Sequence, residues 1–401
     1  MIYLLSRGVT GLSTANLRNI FSRSGFTIIV RVNIIPVHLQ ALKLTHFKNY
    51  DQLSYRPGQS INIIHGLNGA GKTNLLDAIY YLGMTKSFFR SSDKSGVKHE
   101  RSFFRLDGQF IHDSESIRVV IKYNLADRKQ LERNGVKLKK LTGHIGAIPV
   151  VMIAPDDMVL VNGDQSERRR LINNTISQTS YPYLEQLMIY NRLLGQRNQL
   201  LKDSAQTKMY DETLLESFDQ RMDAPAAIIR DQRISFFSRF NLAVSGIYQQ
   251  ISGMSEIAES HYEPSWKNEK LSVGLEANRQ LDKTLQRTSI GPQKDRIRFF
   301  LGKHDLKAYG SQGQKKSFIF ALRLAQYRYI HEVTGKSPLL LLDDIFDKLD
   351  PIRLTRLIDI LISGNFGQIF ITDTQLERVG KEFRERKVDF MAFPIDKDQK
   401  L

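Results

Sequence analysis

Residues Gly66-Leu67-Asn68-Gly69-Ala70-Gly71-Lys72-Thr73 fit the spacing G-x-x-x-x-G-K-[ST]. Such a run can wrap a polyphosphate: the glycines let backbone N–H groups close around the oxygens, and a following helix adds the positive end of its dipole. Lys72 would reach the β- and γ-phosphates, Thr73 would hold Mg²⁺, and Asn74 continues the loop into the helix. A phosphate loop needs an acidic partner. One stands far along the chain in Pro338-Leu339-Leu340-Leu341-Leu342-Asp343-Asp344. Asp343 is expected to bind Mg²⁺, directly or through water. Asp344 is expected to orient or deprotonate an attacking water. Lys72 and Asp344 are thus the candidate catalytic residues. A third signal, Ser311-Gln312-Gly313-Gln314, opens a helix with free N–H groups and a hydroxyl, which suits an anion. Taken as four residues alone it is a plain helix cap. Placed some 30 residues before the acidic strand, it makes a second phosphate cradle, one that would cap the γ-phosphate held by another subunit.

The elements that must position these residues are legible around them. Ile61-Asn62-Ile63-Ile64 is a β-branched run before the loop, and Asn74 to Leu82 has helical character after it. Four leucines without alternation predict a parallel strand buried on both faces, with the two carboxylates at its C-terminal end. Phe318, Ala321, Leu322 and Ala325 recur at helical spacing, and Gly335 and Pro338 end that helix. Pro149 to Ala154 and Gln368 to Ile371 are further strands. Ser311 follows Gly66 by 245 positions. A helix is expected over Tyr183–Lys202 with Leu184, Leu187, Met188 and Leu194 on one side. Another is expected over Met209–Gly253, interrupted at Pro225, and Arg168-Arg169-Arg170 is read as a basic run just before a helix.

The order phosphate loop, signature, acidic strand and then Asp347-Lys348-Leu349-Asp350 as a D-loop resembles the head of ABC-type ATPases. The asparagine in the loop is similar to the SMC/RecF branch, which acts on DNA. Further stretches carry the resemblance to the RecF family: Leu44 to Tyr50, Leu75 to Tyr80, Ala154 to Met158, Asn191 to Asn198, and Arg287 to Pro292. It runs from about Val37 to the C-terminus. The family's Gly-Pro-His-Arg-Asp segment is Gly291-Pro292-Gln293-Lys294-Asp295 here, and Lys348 is unusual in a D-loop. Thr372-Asp373-Thr374 stands where a transporter ATPase would have its switch histidine, and Thr372 or Thr374 would contact the γ-phosphate or its water.

The expected fold is therefore α/β: an ABC-type ATPase head, a mixed sheet flanked by helices, with an inserted helical lobe. The head would be discontinuous, 37–175 and 286–401, with 176–285 as the lobe or short arm. The insertion is too short for SMC heptads, the absence of cysteine excludes a zinc hook, and no apolar run approaches the roughly 20 residues of a membrane helix. A transporter subunit is disfavoured on the same grounds. Residues 1–36 carry Arg7, Arg18, Arg23 and Arg31, and no Asp or Glu precedes Asp51. They fit either an organellar transit peptide or a start placed upstream of the natural one at Val37. The second is preferred because the resembled family is bacterial.

Net charge is +16, which favours a polyanion. From Lys122 to His144 there are seven lysines and arginines against Asp127 and Glu132, around an Asn134-Gly135 hairpin signal. No aromatic-plus-basic repeat suggests base readout, so phosphate contacts without sequence preference are expected. The resemblance implies a slow, switch-like DNA-dependent ATPase of recombinational repair, in the bacterial cytoplasm at the nucleoid. Two ATP molecules, each with Mg²⁺, would sit between two heads of a homodimer that clamps DNA near single-strand gaps. RecO/RecR-type mediators and RecA recombinase would be its partners. A chromosome-organising SMC-like head is the alternative.

Overall fold

The computed structural model describes residues 37–89, 92–127, 129–253, 256–267, 270–346 and 350–396. Chain order begins with an antiparallel layer. Its strands are β1 (His38–Phe47), β2 (Tyr50–Tyr55), β4 (Phe103–His112), β5 (Glu115–Asn124), β6 (Gln130–Arg133) and β7 (Val136–Lys137), in the order β2-β1-β4-β5-β6-β7. A turn with Asn134 at φ 52° and Gly135 at φ 80° joins β6 to β7, the backbone that a two-residue Asn-Gly hairpin requires.

The second sheet is parallel, in the order β14-β3-β13-β12-β8, from β3 (Ile61–His65), β8 (Val150–Ile153), β12 (Leu339–Leu342), β13 (Ile369–Asp373) and β14 (Phe390–Pro394). The leucine run lacks alternation because both of its faces are core. Leu339 and Leu341, with Phe370, Val150 and Met152, pack toward helix α1 (Lys72–Met84) and the antiparallel layer. Leu340 and Leu342, with Ile369, Ile371, Val151 and Ile153, pack into the core on the other side. That core is built from α2 (Val159–Asn162), α3 (Gln165–Thr179), α4 (Tyr181–Thr207), α5 (Glu212–Ser252), α9 (Gln312–Thr334), α10 (Pro351–Ser363) and α11 (Leu376–Glu385). Between them come β9 (Ala258–Glu263), α6 (Leu271–Ala277), α7 (Arg279–Leu285), β10 (Arg296–Leu301), β11 (His304–Asp305) and α8 (Leu306–Tyr309), with a small β11-β10-β9 sheet. The α/β head with a largely helical insertion is thus what the chain forms. The boundary expected at 175 falls inside α3, and the insertion also holds strand β9.

One buried side chain joins the two sheets. Leu39 sits beside a register shift in the β1–β4 ladder, and its N–H donates to Gln368 Oε1 at 2.7 Å. Gln368 Nε2 donates back to the carbonyls of Leu39 (3.0 Å) and Gly58 (2.6 Å).

Three local expectations are corrected. Helix α5 runs unbroken for 41 residues, about 60 Å, through Pro225. Proline removes one helical bond, but Met222, Pro225, Ala226 and Ile229 form a buried face there whose packing holds the helix. In α4 the buried face is Tyr183, Tyr190, Leu193, Arg197 and Leu201, and Met188 is exposed. The pattern was obscured by Arg197, which is fully buried between Asp219 (2.6 Å) and Asp282 (2.7 Å). The Arg168-Arg169-Arg170 run lies within α3. Arg168 is buried, donating to the carbonyls of Leu160, Val161 and Ile297. In the Lys122–His144 region, Lys122 pairs with Glu132 and Lys129 with Asp93, while Lys137, Lys139 and Lys140 stay exposed. Arg128 lies outside the described residues.

Candidate nucleotide site

Parallel register brings the distant halves together. Thr372 pairs with Ile64 and Asp373 with His65 across β13 and β3, while Leu342 pairs with Ile371. The loop after β3, the carboxylates after β12 and the end of β13 therefore emerge side by side at the C-terminal edge of the sheet, where open α/β sheets bind ligands.

Gly66 (φ 155°), Gly69 (φ 78°) and Gly71 (φ 117°) shape the loop. A Cβ on Gly66 would meet the Ile395 carbonyl at 2.2 Å, and one on Gly71 would meet Asn49 Nδ2 at 2.5 Å. The loop is braced from outside. Asn49 Nδ2 donates to Ala70 O at 3.0 Å, and the buried Tyr50 hydroxyl donates to Gly71 O at 3.0 Å. Burial pushes the Tyr50 hydroxyl well above its ordinary pKa, so it stays a donor. Asn74 Nδ2 donates to Asn49 Oδ1 at 2.7 Å. Helix α1 begins on Gly71, which has no side chain to cap it, so the N–H groups of Lys72, Thr73 and Asn74 are left for a ligand. The Lys72 ammonium folds back onto the carbonyls of Gly66 (2.8 Å) and Leu67 (3.1 Å). Asn68 and Gly69 form the turn between these groups, and Leu67 is 74% exposed.

Thr73 Oγ1 donates to the Asp343 carboxylate, 3.0 Å from each oxygen. Thr372 Oγ1 donates to Asp343 Oδ1 at 2.8 Å and accepts from the Asp344 N–H at 2.9 Å. Burial raises the Asp343 pKa, opposed by the hydrogen bonds from Thr372 and Thr73, raised further by the Asp344 charge and opposed by Lys72. Asp344 sits at φ 48°, a conformation uncommon for a residue with a side chain, and its Oδ1 is buried without a partner. A hydroxyl and a carboxylate with an orphaned oxygen beside them suit a hard cation such as Mg²⁺. Thr73 and Asp343 are the residues that would hold it. Among the described residues no cluster of three or more His, Cys, Asp or Glu occurs, so phosphate oxygens and water would complete the shell.

Thr372 bonds the carboxylate pair, and Asp373 pairs with Arg378 (2.6 Å). The motif alone does not mark Asn49 and Tyr50, which brace the loop, while Thr372, expected near the γ-phosphate or its water, bonds the acidic pair. Asn49 lies in the β1–β2 turn and Tyr50 begins β2, each 21 residues before the atom it holds.

The signature differs from expectation. Ser311 caps α9: its Oγ accepts from the Gln314 N–H at 3.2 Å, and Gln314 Oε1 accepts from the Ser311 N–H at 2.8 Å. The Ser311 and Gln314 N–H groups are therefore satisfied, while among the described residues those of Gln312 and Gly313 make no hydrogen bond. Gln314 Nε2 also donates to the Glu256 carboxylate at 3.2 Å. Gln312 is exposed, and a Cβ on Gly313 would lie 2.2 Å from Arg353 Nη1. Among the described residues no hydrogen bond or ion pair joins Ser311–Gln314 to the phosphate loop. The D-loop candidate Asp347–Leu349 lies outside the described residues; Asp350 caps α10, accepting from the Arg353 N–H at 3.0 Å.

Residues 38–387 match the family model described as the RecF/RecN/SMC N terminal domain. The DNA replication and repair protein RecF of Flavobacterium johnsoniae is 36% identical over 342 residues, covering 85% of this chain and 95% of that protein. That of Bacteroides fragilis is 35% identical over 359 residues, covering 89% and 96%. A solved structure of the recombination mediator protein RecF-ATPrS in the RecFOR pathway superposes with a TM-score of 0.81 at 28% identity, covering 90% of this chain and 97% of that one. A RecF-ATP structure gives 0.79 at 29% identity. From β1 through α11, this chain belongs to the RecF family of DNA replication and repair proteins.

Proposed function

We propose that the chain is an ATP-dependent DNA-binding switch of recombinational repair and replication-fork maintenance. The observation that carries this is the convergence of Thr73, Asp343 and Thr372 beside an uncapped, braced phosphate loop. Lys72 would leave its two carbonyls to meet the β- and γ-phosphates of ATP. Thr73 and Asp343 would hold Mg²⁺, whose charge would offset that developing on the phosphates. Asp344 would orient the attacking water through its unpartnered Oδ1.

Ser311, Gln312, Gly313 and Gln314 would complete the γ-phosphate shell of a partner chain. Their separation from the loop within one chain supports this, as do three large exposed hydrophobics around the two halves: Leu67, Tyr309 at 75% and Ile352 at 65%. A two-fold dimer would then cover both halves with a self-complementary interface. Segments 37–175 and 286–401 act as the nucleotide head and 176–285 as its arm. The dimer clamps DNA near single-strand gaps without reading sequence, and hydrolysis releases it. RecO/RecR-type mediators and RecA recombinase fit as partners, given the RecFOR context of the superposing structures. The bacterial cytoplasm, at the nucleoid, is the corresponding site of action. Turnover is slow and depends on DNA.

Mixed-chain measurement tests the shared site. Ser311→Arg is expected to bind ATP as a monomer but not to dimerise or hydrolyse. Mixed with Lys72→Ala chains, it regains one working site per heterodimer, because one interface pairs two intact halves. Sedimentation reads the dimer and phosphate release the turnover. Normal ATP-dependent dimerisation of Ser311→Arg, or a wild type of the same size in ATP and ADP, rules the shared site out.

A further inference from the structure

A cavity of about 470 Å³ opens at the C-terminal end of α1, the length of that helix, about 20 Å, away from the phosphate loop. Helix α3 lines it with one face, in which Ser166, Arg169, Arg170, Asn173, Asn174 and Ser177 recur at helical spacing. Lys86 enters from the end of α1 and Arg233 from α5. Among the described residues no carboxylate lines it.

Four cations around one concavity are costly unless something balances them. Arg233 is balanced by Asp295, Nη1 to Oδ2 at 2.5 Å. Arg170 reaches the Phe88 carbonyl and lies 3.9 Å from Glu167. Among the described residues Lys86 and Arg169 hydrogen-bond only neutral oxygens: Asn174 Oδ1 at 2.9 Å and the Asp295 backbone carbonyl at 2.7 Å. Burial, then the Arg170 and Lys129 charges, lower the Lys86 pKa. Burial, then Arg233, do the same for Arg169, with Asp295 opposing. Beyond the cavity, Lys294 is lowered by burial and then by Arg287 and Arg169, so the positive field continues outward.

Amide and hydroxyl donors between guanidinium and ammonium groups suit a phosphoryl oxygen. The cavity is too small for a duplex to enter and large enough for one backbone phosphate with its sugar. We propose that this cavity, floored by the polar face of α3 and flanked by Lys86 and Arg169, holds a phosphate of the nucleic-acid backbone. It is separate from the nucleotide loop. The proposal rests on the DNA-binding reading above and names where one strand is gripped. A carboxylate-rich protein segment is less well matched, since Asn173 and Asn174 add neutral donors that a phosphate's extra oxygens use.

The test is the salt dependence of DNA binding by the full chain, with and without ATP. Each phosphate contact contributes roughly 0.9 to the slope of log K against log salt for duplex and roughly 0.7 for single strands. Lys86→Gln with Arg169→Gln, which removes the grip on that one phosphate, is expected to lower the slope by roughly 0.9 on duplex or roughly 0.7 on a single strand, and Lys86→Gln alone by part of that, at a wild-type melting temperature. If the double variant melts early, Lys86→Gln alone decides. An unchanged slope in a folded variant overturns the proposal. So does stabilisation by millimolar inorganic phosphate that depends on Lys86 while DNA binding does not, since the cavity would then serve a free anion. DNA binding indifferent to ATP in every variant would instead sink the clamp reading, while a lowered slope still supports the cavity.

Discussion

Helices α1 and α9 both begin at a glycine-containing loop that the sequence marks for phosphate, yet they are prepared in opposite ways. The start of α1 is uncapped, and its surrounding carbonyls are held back by Asn49 and Tyr50. Its N–H groups are open, and the remaining cation, Lys72, is folded into the loop. The start of α9 is closed by the reciprocal bonds of Ser311 and Gln314, with Gln314 tied further to Glu256. A side-chain cap contributes about 1 kcal/mol. The first helix start is therefore open within one chain, whereas the second has two of its donors tied up by its own cap. In the proposed dimer, that asymmetry would make ATP binding the early event and dimer closure the conditional one.

Several substitutions break or sharpen this contrast. The largest effect is expected at the acidic pair. Asp344→Asn retains ATP binding but loses turnover by about 10²–10⁴-fold, the span of a general base, and accumulates the ATP-bound dimer. Asp343→Asn instead raises the magnesium concentration needed for binding. Titrating magnesium against both variants separates the roles, and identical curves would merge them. Next, Lys72→Ala removes charge-assisted contacts worth about 1.5–3 kcal/mol, so ATP affinity falls about 10- to 100-fold while the fold persists. Calorimetric titration reads this, and unaltered affinity would reject the loop as the phosphate site.

Asn49→Ala frees the Ala70 carbonyl and slackens the loop. A cost of about 1 kcal/mol, roughly fivefold in ATP affinity, is expected without change in dimer assembly once ATP is saturating. The smallest effect falls on the capped side. Ser311→Ala costs about 1 kcal/mol of stability in chemical unfolding and leaves monomer affinity for ATP as it was. If Ser311→Ala weakened monomer binding and Asn49→Ala did not, the two helix starts would have exchanged roles.

Legibility in the sequence follows the range of the interaction. Gly66 to Thr73, the leucine run and Asn134-Gly135 are local patterns whose backbone demands are met within a few residues, and each forms as expected. The α/β head could be assembled from them because only one sheet lets the loop and Asp343 meet. The face of α4 was obscured because Arg197 is polar by type and core by position. Pro225 was read as a break because its tertiary packing is invisible along the chain. The work of Asn49, Tyr50 and Thr372 arises only where strands from separate parts of the chain lie side by side. Ser311 shows the reverse case: its helix-cap character is local and was evident, and what local pattern could not give was that the cap is already closed by Gln314.

The Gln368 amide has a consequence on another timescale. Leu39 belongs to the antiparallel sheet and Gln368 immediately precedes β13 of the parallel one, and the hydrogen bonds between them come from that one side chain, which accepts from the Leu39 N–H and donates to its carbonyl. The Leu39 amide proton can exchange with solvent deuterium only when the glutamine lets go. Its exchange rate is therefore a clock for the parting of the two layers, readable at a single residue. Gln368→Glu would turn the donor into an acceptor facing the Leu39 and Gly58 carbonyls. That clock would then run fast, even where global unfolding stays slow.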